Sequence, residues 1–207
     1  MTNLGASSPR FLRRAARAGR ALSADARATA AVEAALILPV ALTMLALVIY
    51  GGEAFAIQRK VTLTARTVTD LITQTTPPVL VMVSGKPSVP QSSIDTDLSY
   101  ASAVMAPYAS ANLSMLATEV QINSNQTTAT VVWSEPYNGA TPRAVGSTLT
   151  LPTGLGTGQS GNYFILGEVY YNYNPINLFT PVSAMTLHGS IYLTPRAAAS
   201  LNMLVGQ

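Results

Sequence analysis

Two short motifs have residue types that could bind a ligand. Gly156, Gly158 and Gly161 have the spacing G-x-G-x-x-G, which binds dinucleotides when a strand precedes it and a helix follows it. A Pro-containing loop precedes these glycines and a β-rich stretch follows them, so we interpret them as a flexible loop. Asp95 and Asp97 could suggest calcium, but the downstream ligands and glycine of a calcium loop are missing. We interpret these two acids as a solvated pair in a connector.

Two single residues could take part in catalysis or metal binding. His188 is the only histidine, and the chain has no cysteine, so neither a zinc site nor a base–nucleophile pair is visible. Glu168 lies among tyrosines, where a lone acid is either an exposed strand residue or a salt-bridge partner of Arg143 or Arg196. No catalytic constellation emerges. We therefore expect a protein that is not an enzyme and uses no cofactor or metal.

The most distinctive stretch is an apolar run near the N-terminus. Nineteen uncharged residues separate Glu33 from Glu53, and as a helix they span about 28 Å, close to the thickness of a bilayer's hydrocarbon core. Pro39 is tolerable there because a helix is the only way for this backbone to satisfy its hydrogen bonds in lipid. The run predicts a transmembrane helix. Glu33, at the start of this run, is either hydrated at the level of the lipid headgroups or has a partner within the membrane.

The charge distribution predicts how that helix is oriented. Residues 1–27 contain six of the twelve basic residues and one of the nine acids. A basic flank favours a cytoplasmic N-terminus and an exported C-terminal domain. Beside an apolar span such a tail is typical of a topology signal that contacts membrane lipid. We therefore expect no nucleic-acid partner.

The helical pattern continues beyond the apolar run. After Gly51-Gly52, apolar and small residues recur at four-three spacing, which is typical of an amphipathic helix. We predict that this helix continues to about Gln74 and ends before Pro77-Pro78. Its stripe packs either on the outer domain or on a sister subunit. The stripe residues are Ile57, Val61, Thr64, Val68 and Leu71.

The remainder changes from connector to strand patterning. Residues 75–111 contain repeated prolines and one possible short helix around Met105, which Pro107 would break. Alternating patterns then predict four antiparallel strands, and residues 135–161 between the second and third are turn-rich. The predicted strands cover residues 116–122, 127–134, 163–173 and 187–193. The fold class is therefore α+β, with a long transmembrane and amphipathic helix packed on a small antiparallel sheet.

This pattern divides the chain into four regions. Residues 1–28 form a basic cytoplasmic leader or tail, and residues 29–74 form the transmembrane and amphipathic helix. Residues 75–111 are the connector. Residues 112–207 are an antiparallel, β-rich extracytoplasmic domain.

Two segments carry a resemblance to a known family. The string Ala28-Thr29-Ala30-Ala31-Val32-Glu33 resembles the N-terminal signature of TadE-like pseudopilins of the tight-adherence (Flp, type IVc) pilus. The resemblance implies cleavage by a prepilin peptidase between Ala28 and Thr29. Glu33 would then meet the new N-terminal amine of a neighbouring subunit. Ala28 and Ala34 stand where the family usually has a glycine and an aromatic residue.

The second segment lies near the C-terminus. Residues 168–175, Glu-Val-Tyr-Tyr-Asn-Tyr-Asn-Pro, are similar to the family's Glu-Val-x-Tyr-x-Tyr-x-Pro. The matching positions are Glu168, Tyr171, Tyr173 and Pro175.

The resemblance implies a structural role and a set of partners. It suggests a minor pseudopilin in the bacterial inner membrane, single-pass, with its C-terminal domain in the periplasm. Other pseudopilins, the major pilin, the inner-membrane pilus platform and a prepilin peptidase would be its partners.

Two alternatives stay open. The chain could be an uncut, membrane-tethered binding module with an extracytoplasmic β domain. It could also be a secreted soluble protein released after the A-x-A string Ala54-Phe55-Ala56.

Overall fold

The computed structural model describes Gly19 and residues 26–75, 82–83, 86–175, 183–196 and 199–204. The chain divides into two compact units: Met1–Tyr50 with Asn177–Pro181, and Gly51–Ile176 with Val182–Gln207. Most of the basic tail and the pair Pro77-Pro78 lie outside the described residues.

Helix α1 runs over Ala26–Gln74, which confirms the predicted end at Gln74. In the first unit, residues 29–50 of this helix expose apolar side chains all around the helix. Within it, the Thr43 hydroxyl donates to the Pro39 carbonyl at 2.8 Å, a bond that keeps a polar side chain satisfied by its own helix. This helix is long and apolar enough to cross a membrane. The large exposed side chains are Val32, Leu36, Ile37, Leu38, Val40, Leu42, Met44, Leu45, Leu47, Val48 and Ile49.

The part of α1 in the second unit, residues 51–74, buries one stripe instead. Ile57, Val61, Thr64 and Val68 are buried as the spacing predicts, and the stripe packs on the sheet of its own chain. The stripe ends on Ile72, which is fully buried, while Leu71 is only partly so. Buried threonine hydroxyls on this stretch donate to carbonyls of the preceding turn, as Thr64 does to Lys60 and Thr69 to Ala65. Their burial therefore leaves no hydroxyl without a partner.

The second unit is built on a five-stranded antiparallel sheet in the order β5-β4-β3-β6-β7. The four predicted strands are confirmed as β3, β4, β6 and β7. The short β5 lies in the turn-rich region, and the sequence pattern did not predict it. The strands are β3 (Leu113–Ile122), β4 (Thr128–Tyr137), β5 (Thr148–Thr150), β6 (Tyr163–Tyr173) and β7 (Met185–Leu193).

A β-bulge divides the core between the two faces of this sheet. Glu119 pairs with Trp133 and Val120 with Val131, so Val132 is an extra residue on β4. Residues two apart on a strand normally share a face. Here Trp133 instead packs in the core under α1, whereas Val131 joins a second cluster on the opposite face.

Two glycines let α1 lie close to the sheet. A Cβ placed on Gly167 would lie 2.1 Å from the Thr69 hydroxyl oxygen, and one on Gly189 would lie 3.2 Å from Val61 Cγ1. Any larger residue at Gly167 would therefore have to displace the Thr69 side chain, the helix or the strand.

The connector differs from its prediction. Its helix, α2, spans Gln91–Ser102 rather than centring on Met105, and Asp95 and Asp97 lie on this helix. Ile94, Leu98 and Ala101 form its buried face, and a helix accepts Pro90 immediately before its first residue because no N–H is needed there. A 3-10 turn, Ala103–Met105, follows, and the Ala106–Pro107 bond is cis.

A second, small sheet has the order β1-β2-β8. Its strands are β1 (Met82–Val83), β2 (Lys86–Pro90) and β8 (Asn202–Leu204). β2 and β8 are parallel, a pairing that joins the connector to the C-terminal segment.

Candidate functional site

The predicted assembly residues lie near the start of α1. The bond between Ala28 and Thr29 falls inside this helix, and Glu33 is exposed one turn after Thr29. Residues four apart lie on the same face of a helix. Thr29 and Glu33 are therefore presented together on a surface that is otherwise apolar.

Glu168 lies at the centre of a polar cluster on the sheet face opposite α1. Glu168 is buried, and its carboxylate accepts hydrogen bonds from Arg143 Nε at 3.1 Å and Arg143 Nη2 at 2.8 Å. The Tyr170 hydroxyl donates a further bond at 3.1 Å. The salt-bridge interpretation of Glu168 is confirmed with Arg143 as the partner, whereas Arg196 pairs with Asp70 at 3.0 Å.

The loop after β4 positions Arg143 above the sheet. The Arg143 backbone N–H donates to Ser134 Oγ at 3.0 Å, and Ser134 Oγ is 3.0 Å from Thr118 Oγ1. A row of hydroxyls on adjacent strands therefore holds the loop in place. The guanidinium reaches Glu168, two strands away from β4, because the strand order puts β3 between β4 and β6.

His188 stacks on Tyr170, with ring centroids 4.5 Å apart and an interplanar angle of 23°. Its Nε2 lies 3.9 Å from Glu168 Oε1, and its side chain is 43% exposed. The stacked, partly exposed position of His188 fits a structural role. The stacked rings of Tyr170 and His188 therefore lie beside the ion pair of Arg143 and Glu168.

The electrostatics of this cluster favour fixed protonation states. The hydrogen bond from Arg143 to Glu168 raises the pKa of Arg143. Burial raises the pKa of Tyr170 and of Tyr192, and the negative charge of Glu168 raises both further. At neutral pH the guanidinium is charged and the phenols are neutral donors. Such a cluster can stack and hydrogen-bond, but it offers no activated nucleophile.

The remaining positions of the family-like segment attach β6 to the helix. Side chains alternate along β6, so Tyr171 and Tyr173 face the core under α1 while Tyr170 faces away. Tyr171 packs edge-on against Tyr108, with centroids 6.5 Å apart. The Tyr173 hydroxyl donates to Glu53 Oε2 at 2.9 Å. Pro175, just after the strand, is buried.

Three buried carboxylates lie on the sheet, and sequence inspection singled out only Glu168. Glu135 accepts both of its hydrogen bonds, each 3.0 Å, from Gln91 Nε2, and burial raises its pKa. Glu119 accepts the Leu201 N–H at 2.6 Å. The strand pattern gave no signal for the other two: Glu119 alternates with the apolar residues of its predicted strand, and Glu135 lies just beyond the predicted strand 127–134. The hydrogen-bond partners of Glu119 and Glu135 could not be predicted without knowledge of the strand register.

The glycine motif has a structural explanation. A Cβ on Gly156 would lie 2.1 Å from the Gln126 carbonyl oxygen. The Gly158 N–H donates to Gln126 Oε1 at 2.9 Å, and Gly158 and Gly161 have positive φ. The loop leads into β6 rather than into a helix, so these glycines serve turn geometry.

Within the described parts of the chain, no three His, Cys, Asp or Glu residues are grouped so that they could hold a metal ion. Compared with known proteins, the chain matches no family model, no curated protein and no solved structure. The fold itself defines an α+β protein with one apolar N-terminal helix compatible with a single transmembrane span.

Proposed function

We propose that this protein is a membrane-anchored, minor pseudopilin-like structural subunit that contributes to the assembly of a tight-adherence (type IVc) pilus. The observation that carries the proposal is the contrast between the two parts of α1. Residues 29–50 expose apolar side chains all around the helix, whereas residues 51–74 bury a single stripe. A helix that is apolar on every side requires lipid or other apolar helices around it.

The basic N-terminal tail supports an orientation. Positive charge flanking an apolar span is retained in the cytoplasm, so the second unit would face the periplasm of a bacterial inner membrane. Lipid would surround residues 34–52, and packing between apolar helices would bring the subunit together with other pseudopilins and the major pilin. The inner-membrane pilus platform would be a further partner.

Glu33 would set the register of that assembly. A carboxylate at the mouth of an apolar helix is costly in lipid without a partner. Cleavage between Ala28 and Thr29 by a prepilin peptidase would create an amine, and the amine of a neighbouring subunit would neutralise Glu33. An uncut subunit would lack this amine.

Intact mass spectrometry of protein purified from its native membrane tests the processing step. A mature N-terminus at Thr29 is the expected result and would establish prepilin-type cleavage. A start at Met1 or Thr2 would favour the uncut, tethered binding module. A start at Ile57 would contradict the membrane anchor altogether.

A substitution at Glu33 tests the assembly step. Glu33→Ala should insert into the membrane normally but assemble few pili, because the charge partner of the amine is lost. Glu33→Asp, which keeps the charge, is the matched control. Pili would be counted by electron microscopy, and insertion would be checked by carbonate extraction. Normal pilus numbers in Glu33→Ala would overturn the role given to Glu33.

An anchor exchange separates this function from the tethered binding module. In that alternative the helix is only a tether, and the exposed stack of Tyr170 and His188 offers a surface that a periplasmic ligand could contact. If the protein is such a module, replacement of residues 29–50 by an unrelated apolar span would preserve ligand binding. A pseudopilin with the same replacement would lose pilus assembly.

A further inference from the structure

One edge of the five-stranded sheet is only partly covered. β5 pairs with β4 at Thr128–Thr130 alone, and Val131 exchanges two further backbone bonds with Gly146 and Ser147 at 2.8 and 2.9 Å. Among the residues that the structure describes, no strand pairs with residues 132–137 on this side. These residues therefore present backbone groups that an added strand could bind.

A groove follows this open edge. Its volume is about 530 Å³, and its floor is the β4 segment Val132–Pro136. Pro142 and Val145 of the loop after β4 form one wall, and Gln91 and Met203 form the other. Pro136 has no N–H to donate, so an added strand would pair mainly with residues 132–135.

The opposite edge of the same sheet is β7. Within the described ranges β7 pairs with β6 and with no other strand. A second groove, of about 340 Å³, lies beside it and is lined by Ile191 and Leu193 together with residues of α1. The α1 residues are Arg66, Thr67 and Asp70. The sheet thus has one open edge along part of β4 and another along β7.

The β4 and β7 edges of two copies could pair with antiparallel strands and with α1 on the same side of both sheets. Every neighbouring pair from β4 to β7 is antiparallel, and three such steps make β4 and β7 run in opposite directions. A second copy displaced sideways along the sheet would therefore place its β7 antiparallel to β4 of the first copy. The same displacement keeps the α1 face of both sheets on one side.

The charges beside the two edges are opposite. Glu135 lines the β4 groove and accepts hydrogen bonds from Gln91 of α2. Asp95, which is exposed, lies one turn after Gln91 on the same face of α2. Arg66, exposed on α1, lines the groove beside β7. Asp70 lines the same groove, but its charge is paired with Arg196. Glu135 and Arg66 lie on the α1 side of the sheet, so docking would bring Arg66 of one copy toward Glu135 and Asp95 of the next.

We propose that a second copy of this chain docks its β7 edge on the open edge of β4, extending the sheet from copy to copy. The contact is head-to-tail rather than two-fold symmetric, so each added copy leaves one β4 edge and one β7 edge free. Repetition gives an open chain of subunits. This inference does not depend on the pilus role, since it concerns only the second unit.

Cysteine cross-linking tests the pairing because the chain has no native cysteine. Val145→Cys marks the groove wall and Ser190→Cys marks β7, and both sites are exposed. The two full-length variants, with different tags, would be mixed in lipid nanodiscs and treated with a short bismaleimide. The mixed pair should yield a hetero-tagged dimer. Ser124→Cys, exposed in the β3–β4 turn, should yield none with either partner.

The pattern of products decides between arrangements. A chain that carries both Val145→Cys and Ser190→Cys should form a ladder of oligomers. Cross-links in Val145→Cys alone or Ser190→Cys alone would indicate a symmetric contact and overturn the proposal. Absence of any dimer, or cross-linking only to a different protein in native membranes, would overturn it as well.

A charge reversal tests the complementarity of the two edges. Arg66→Glu should reduce the hetero-tagged dimer about fivefold, as expected for loss of an interfacial charge pair. Arg59→Glu is the matched control, since Arg59 is exposed on the same helix but does not line the groove. Asp95→Lys on the partner copy should restore the Arg66→Glu dimer. Equal losses in both arginine variants would contradict the assigned contact.

Discussion

The guanidinium of Arg143 binds the carboxylate of Glu168 through two different nitrogens, Nε at 3.1 Å and Nη2 at 2.8 Å. The two residues are 25 positions apart in the sequence. Bidentate geometry of this kind gives orientation as well as energy. The pair therefore fixes the long loop after β4 to the middle of β6.

Loss of this clamp should destabilise the second unit. The Glu168 side chain is only 6% exposed beside Arg143, and Arg143→Ala removes its main charge partner. We expect a loss of about 1–2 kcal/mol in the free energy of unfolding, reduced by the partial exposure of Arg143. Fluorescence of Trp133, the only tryptophan, would follow urea unfolding of the full chain in micelles.

Arg196→Ala provides the matched control. Its ion pair with Asp70 is exposed, at 58% and 44% for the two side chains, so its loss should cost under about 1 kcal/mol. A larger effect for Arg196→Ala than for Arg143→Ala would contradict the importance of the buried carboxylate.

The close approach of α1 to the sheet predicts a strong effect at Gly167. Gly167→Ala places a methyl group 2.1 Å from the Thr69 hydroxyl oxygen, and overpacking of this kind costs about 1–3 kcal/mol. Removal of the obstructing group in the double variant Gly167→Ala, Thr69→Ala should recover part of the loss. Thermal unfolding of the wild type, Gly167→Ala, Thr69→Ala and the double variant, followed by circular dichroism, measures this. Additive losses in the double variant would show that Thr69 is not the obstacle.

The stability of the second unit should depend on the protonation of Glu135. Burial raises its pKa above 4.5, so the folded state binds a proton more tightly than the unfolded state. The penalty for a buried charge is absent below the ordinary pKa and fully present above the raised pKa. The contribution of Glu135 to stability therefore falls as pH rises through that window.

Glu135→Gln tests this pH dependence. It removes the buried charge and keeps an acceptor for Gln91, so it should stabilise the protein at pH 7 and have little effect well below the ordinary pKa. Urea unfolding at both pH values, with Glu33→Gln as the control for an exposed acid, measures the difference. An equal effect of Glu135→Gln at both pH values would contradict the raised pKa.

The C-terminal segment should loosen when the indole N–H is removed. Trp133 Nε1 donates to the Leu201 carbonyl, and the Leu201 N–H donates to Glu119. Trp133→Phe leaves a buried carbonyl without its donor, at a cost of about 1–3 kcal/mol. Amide hydrogen exchange should accelerate in residues 199–204 while the amides of β3 and β6 stay protected. Unchanged exchange in 199–204 would show that the indole does not hold this segment.

Local patterns predicted the elements whose periodicity is uninterrupted. The apolar run and its amphipathic continuation predicted α1, and alternation predicted β3, β4, β6 and β7. α2 was misplaced because Pro90 and Pro107 made its surroundings resemble an irregular connector. β5 has only three residues, which is too short for alternation to show.

The partners of polar residues could be predicted only in part. The sequence narrowed the partner of Glu168 to Arg143 or Arg196, and the strand order selected Arg143. The contact between Gln91 and Glu135 had no signal in the sequence, because it joins α2 to β4 across 44 positions.

The sequence by itself determined the apolar helix, the strand periodicity and the distribution of basic charge, since each depends on neighbouring residues. Only the tertiary structure decided which carboxylates are buried, which strand edges stay open and where α1 touches the sheet. Those properties depend on register, and one extra residue at Val132 transfers the following side chains of β4 to the other face of the sheet.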